Sequence, residues 1–113
     1  MATFSLEVVR VKTYEKAVIK LRKRFVHIED DVELFLSTMS KIDDLGVHLG
    51  NGTYKVRIAN SDKKSGKSGG YRLISYLKLV DNELYLLYIY DKSDYENISE
   101  QEIDNLVLHS MAL

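Results

Sequence analysis

The chain contains no cysteine. Disulfide staples and thiolate zinc sites are therefore excluded, and the absence fits a reducing compartment. No apolar run approaches the length needed to span a bilayer. The N-terminal stretch Met1 to Arg10 carries polar and charged side chains where a signal peptide needs an apolar core. Together these absences predict a soluble, cytoplasmic protein with no membrane partner. Metal-ligand clusters are missing as well. His27, His48 and His109 are scattered, none at ligand spacing from another, and Asp43-Asp44 lacks the rest of a calcium loop. No metal and no cofactor is expected. Gly66-Lys67-Ser68 looks like the end of a phosphate-binding loop, but the first glycine of that motif is absent and a strand follows where a helix is required. A serine nucleophile lacks its motif. No carboxylate pair stands out for glycoside chemistry.

At 113 residues the chain is long enough for one domain, residues 1–113, with a modest core. The formal net charge is −1, but the distribution is uneven. Arg10 to Arg24 holds seven basic residues and one acid, and His27 to Asp44 holds six acids and one lysine. Lys55 to Lys92 holds eight basic residues and four acids, and Asp94 to Asp104 holds five acids and no base. A near-zero sum can thus hide an anion-binding face. For Arg10 to Arg24 the better reading is a solvated helix face.

Hydrophobic spacing orders the rest. Ala2 to Val11 alternates in part and reads as a strand whose partner is not legible. Tyr14, Ala17, Val18, Leu21 and Phe25 recur at helical spacing behind a candidate cap, Thr13. Ile28, Val32, Phe35, Leu36 and Met39 make a second stripe, from about Ile28 to Lys41. Its first turn holds Glu29, Asp30 and Asp31, where the helix dipole favours negative charge. The two read as a helical hairpin, and Asp43 to Gly52 reads as a loop. Three strand-like runs follow: Tyr54 to Ala59, Tyr71 to Leu79 and Glu83 to Lys92. Asn60 to Gly70 links the first two runs, and Asp81-Asn82 turns between the last two. Ser99-x-x-Glu102 is a capping box for a last helix, with Ile98 and Ile103 placed as a hydrophobic staple. The order β-α-α-β-β-β-α predicts an α+β domain. In it, the strand and helical hairpin pack on a twisted antiparallel sheet, with a helix at the C-terminus.

The candidate site is basic. Strand period puts Lys55 and Arg57 on one face, opposite Val56 and Ile58. Arg72, just past the glycine turn, can lie beside Arg57 across a hairpin. Lys64 and Lys67 sit in the turn, Tyr71 leads the next strand, and Lys92 follows the aromatic run Tyr85, Tyr88 and Tyr90. Clustered cations with tyrosines suit a phosphate backbone and stacked bases. A solvated sheet edge, guarded by lysines, accounts for the same residues.

Three motifs together resemble the RelE/ParE superfamily of toxins from type II toxin–antitoxin pairs. They are Lys55-Val56-Arg57-Ile58-Ala59, Gly66-Lys67-Ser68-Gly69-Gly70-Tyr71-Arg72-Leu73-Ile74 and Tyr88-Ile89-Tyr90-Asp91-Lys92-Ser93. The resemblance is best to the HigB-like branch and covers Tyr54 to Ser99 best, while the N-terminal strand and helical hairpin agree in order without a specific motif. It implies a metal-independent, ribosome-dependent endoribonuclease that cuts mRNA in the A site, the 2′-hydroxyl attacking its own phosphate. It implies catalytic roles for Lys55, Arg57, Arg72 and Lys92, and RNA contacts from Lys64, Lys67, Tyr71 and Tyr90. Lys55 or Lys92 would be the base. Ser93 and Ser99 stand where some members carry a basic residue and a tyrosine, and Tyr90 or Tyr95 is the substitute. A cognate antitoxin, helix-turn-helix and HigA-like, would be the partner. The ParE branch implies a DNA gyrase inhibitor instead, and a non-catalytic RNA-binding module would use the same face.

Overall fold

The computed structural model describes residues 5–63, 69–95 and 99–111. Strands β1 (Glu7–Arg10), β2 (Val47–Gly50), β3 (Thr53–Ile58), β4 (Tyr71–Lys78) and β5 (Glu83–Asp91) form one sheet in the order β1-β5-β4-β3-β2. Helices α1 (Lys12–Arg22) and α2 (Ile28–Thr38) follow β1, and α3 (Glu100–Met111) follows β5.

The sheet is mixed, not purely antiparallel. β1 runs parallel to β5, from Glu7 opposite Glu83 to Arg10 opposite Leu86, while every other pair is antiparallel. A parallel pairing joins segments far apart in the chain, so no turn signal announces it. The second departure is β2, inside the stretch that reads as a loop. Asn51 and Gly52 both take positive φ, 52° and 78°, as the two-residue turn of a tight hairpin demands. The Asn-Gly step is therefore the turn of a hairpin between β2 and β3. Gly46, just before β2, has φ 95°, and a Cβ there would stand 2.1 Å from the carbonyl oxygen of Lys55. Only glycine lets the chain pass that close to β3.

The helical hairpin covers one face of the sheet. Tyr14, Val18 and Leu21 of α1 and Ile28 and Val32 of α2 pack with Ile58, Tyr71, Leu73, Leu77, Leu84, Leu86 and Ile89 in the main core. Thr13 does not cap α1. The helix starts after Val11, and the Thr13 hydroxyl donates to the Leu87 carbonyl at 2.7 Å. Leu87 is the residue by which β5 slips against β4, since Ile74 faces Tyr88 while Ser75 faces Leu86. Such a bulge leaves backbone groups out of the ladder, and the threonine satisfies one of them. The same bulge shifts the alternation, so Tyr85, Tyr88 and Tyr90 share one side despite their uneven spacing.

Helix α3 crosses the other face. Val107 packs in a second cluster with Ile74 and Tyr90, bordered by Leu87, Tyr88 and Tyr95. Ser99 caps the helix through the Glu102 N–H, 3.2 Å from its hydroxyl oxygen. The Glu102 carboxylate accepts from the Ser99 hydroxyl. The staple residue Ile98, the opening of the first strand through Phe4, and the turn lysines Lys64 and Lys67 lie outside the described residues. So do the side chains of Ile103, Leu106, His109 and Met111. Among the described residues no helix is long and apolar enough to cross a membrane.

Candidate functional site

β3 and β4 pair so that Arg57 lies directly opposite Arg72, with Lys55 opposite Ile74. By strand alternation all three cations project from the face opposite the helical hairpin. Arg57 is exposed at the surface. Arg72 is only 1% exposed, and its guanidinium Nη1 donates to the Tyr71 carbonyl at 3.3 Å. Strand pairing puts the two arginines side by side, yet only Arg72 belongs to the interior. α3 and its cluster close over the sheet above β4, and Arg72 lies among the fully buried side chains.

Lys55 is held by α3. Its ammonium donates to Oδ2 of Asp104 at 2.8 Å, and the two side chains are 11% and 12% exposed. Lys55, Arg57, Arg72 and Asp104 line one cavity of about 430 Å³, completed by Gly46, Val47, Leu49 and Val56. Among the described residues three cations and one carboxylate line it, a balance that favours an anion. No group of carboxylates, histidines or cysteines among the described residues could hold a metal ion. A second cavity, about 370 Å³ between α1 and α2, contains Arg10, Glu15, Glu29 and Glu33, with Arg10 paired to Glu33. Its acids make it unsuited to a phosphate.

The aromatic candidates sit differently from the sequence reading. Tyr71 is wholly buried among the core residues under the helices, its ring edge-on to Phe25 at 6.0 Å. Burial pushes its hydroxyl pKa upward. It faces away from Arg72 and cannot stack a base. Tyr90 is 2% exposed and packs edge-on against Tyr95 at 5.2 Å, so it braces α3's cluster instead of offering a surface for stacking. Tyr88 is partly buried, and burial together with the neighbouring Tyr95 hydroxyl, 3.5 Å away, pushes its pKa up. Lys92 is exposed, opens a single helical turn through Tyr95, and donates its backbone N–H to the Gly70 carbonyl at 3.1 Å. It is not among the residues lining the cavity.

Two functional candidates escaped the sequence reading. Asp104 was one acid of an acidic run, and only its place three residues before Val107, on the same side of a helix, hints that it turns inward. Asp91 is the other. It is fully buried and accepts from Lys63 at 2.9 Å, from Asn60 at 3.3 Å and from the Ser93 hydroxyl and N–H. Burial alone would raise its pKa, but those hydrogen bonds outweigh it and hold the carboxyl below the usual carboxylate range. The network ties Asn60 and Lys63, at the start of the Asn60–Gly70 link, to the end of β5, and the Lys92 N–H holds Gly70 at its other end. Gly70 completes it, because a Cβ there would meet the Ile58 carbonyl oxygen at 2.1 Å.

The comparison with curated proteins finds no match. Among solved structures the chain is similar to one described as the crystal structure of the isolated E. coli RelE toxin, P21 form. Identity is 17% and the TM-score 0.45, with 90% of this chain and 96% of that one covered. A family profile described as the RelE toxin of the RelE / RelB toxin–antitoxin system matches residues 11–112, nearly the whole chain, and the chain therefore belongs to the RelE toxin family.

Proposed function

We propose that this chain is a ribosome-dependent mRNA endoribonuclease that arrests translation and is held in check by a cognate antitoxin. The observation that carries the proposal is the Arg57–Arg72 pair. Like charges directly opposite on adjacent strands disfavour pairing, and here a third cation, Lys55, lines the same cavity. An anion bound there offsets the repulsion, and a phosphodiester is the anion that two guanidiniums and an ammonium fit best. Such a set stabilises the crowded phosphate as the 2′-hydroxyl attacks. Lys92 and the turn lysines Lys64 and Lys67 belong to the approach for the RNA strand. The motifs from Lys55 to Ser93 favour the HigB-like branch, and with it a helix-turn-helix, HigA-like antitoxin.

The test is to incubate the purified chain with ribosomes carrying mRNA in the A site and to map the RNA ends. Cleavage is expected on ribosomes, with none of naked mRNA. It should persist after EDTA treatment of the protein, since no metal takes part in the proposed step. Intact mRNA together with inhibited DNA gyrase would replace this reading with the ParE one.

A further inference from the structure

The cavity holds one side chain that phosphate binding does not explain. Asp104 is 8% exposed, and it meets the cations from α3, a separate element. Oδ2 is engaged by Lys55 at 2.8 Å. Oδ1 is buried and has no hydrogen-bond donor among the described residues. A buried carboxylate oxygen without a donor is costly, and a repelling anion beside a phosphate site adds to the cost. Both costs have a purpose if Oδ1 receives a proton during the reaction.

We infer that Asp104 is the general base of the RNA cleavage. The inference rests on the endoribonuclease reading above. The 2′-hydroxyl of the ribose is the proton donor that Oδ1 lacks. As Oδ1 takes that proton, the 2′-oxygen bonds to phosphorus and the bond from phosphorus to the 5′-oxygen breaks. The departing 5′-oxygen takes a proton from water, and the hydroxide so formed takes back the proton carried by Asp104. The products are a 2′,3′-cyclic phosphate and a 5′-hydroxyl. Lys55 has a positioning role in this scheme. It is the donor in its contact with Asp104, an ammonium with no lone pair to accept a proton, and it holds the carboxylate aimed. The base is then neither Lys55 nor Lys92.

The experiment compares the full chain with Asp104→Asn and Asp104→Ala on mRNA-loaded ribosomes. Binding and the single-turnover rate are measured separately, and each variant is melted. Asp104→Asn is expected to bind the complex as the parent does and to cleave about 100-fold more slowly, the lower end of what general bases contribute. Asp104→Ala is expected to regain rate with added formate and more with acetate, the stronger base. A purely structural ion pair would not follow basicity in this way. Should both variants melt below the assay temperature, the parent chain decides. Its single-turnover rate must fall in heavy water, as proton transfer from the 2′-hydroxyl in the cleavage step requires, and an unchanged rate overturns the inference. An Asn variant that cleaves at the parental rate also overturns it. A faster Asn variant overturns it too and makes α3 a cover over the cations. A parent that leaves mRNA whole removes the endoribonuclease reading and this one together; a cleaving parent with an indifferent Asn variant removes only the role of Asp104.

Discussion

Arg57 and Arg72 share a face and a register pair but not an environment, and alanine variants of the two separate binding from stability. Arg57 is exposed, so Arg57→Ala should melt like the parent while losing a charge-assisted contact of roughly 1.5–3 kcal/mol, about tenfold to a hundredfold or more in cleavage rate. Arg72 is 1% exposed. Arg72→Ala should lose rate and also about 2–4 kcal/mol of stability, because a long buried side chain leaves both a void and lost hydrogen bonds. Parallel melts and ribosome assays check this, and an Arg72→Ala chain that melts normally would contradict its burial. Asp91 provides the pH test. Its pKa is depressed in the fold, so its stabilisation is present above the ordinary carboxylate value of 3.8 and is lost as pH falls through the folded pKa. Asp91→Asn should be destabilised at neutral pH, and its stability should change less than the parent's when the pH is taken below about 4. Equal acid sensitivity in urea melts of the two would assign acid unfolding elsewhere.

At the scale of elements, the segment from Gly46 to Gly52 shapes the cavity from its outer side. Gly46 needs a positive φ and a backbone without Cβ against Lys55. In Gly46→Ala, left-handed strain of roughly 1–2 kcal/mol adds to a clash that the neighbouring carbonyl cannot escape without moving β3. The expected cost is about 3 kcal/mol, a fall of about 10 °C or more in melting temperature. The cleavage rate should fall as well, because Lys55 would shift. An alanine variant that melts and cleaves as the parent does would show that this approach is not tight. On the opposite side α3 supplies Asp104, the only acid of the cavity lining among the described residues. The site is thus bounded by a short edge strand and a C-terminal helix, two elements that contribute little to the main core.

For the molecule as a whole, the strand order sets where stability is highest. β4 has a strand on both sides, and β5 has β4 on one side, β1 on the other as far as Leu86, and α1 packed against it, whereas β3 is paired on its outer side only as far as Lys55. Hydrogen exchange should therefore be slowest in Leu73 to Leu77 and Leu84 to Ile89. The amides of Val56 to Ile58 that point away from β4 should exchange sooner. Uniformly slow exchange through Val56 to Ile58 would call for a strand that continues β2. The pairing thus puts Arg72 on a strand flanked on both sides and Arg57 beyond the reach of β2.

The local signals were legible because each rests on neighbours in sequence. Stripes at helical spacing marked α1 and α2, alternation marked β3, β4 and β5, and Ser99 marked the start of α3. Alternation also put Lys55 and Arg57 on one face, which needs nothing beyond the period of a strand. The Asn51-Gly52 turn was present in the sequence too, but the short β2 beside it is only partly apolar and reads as loop without its partner. What only the tertiary structure decided depends on residues far apart along the chain. The parallel pairing of β1 with β5 is one case. The burial of Arg72, Tyr71 and Tyr90 is another, since exposure depends on which helix lies above a strand and not on the strand itself. The inward turn of Asp104 toward Lys55 across 49 positions is the last, because a carboxylate on a helix is drawn into a cavity only when the fold sets cations there to receive it.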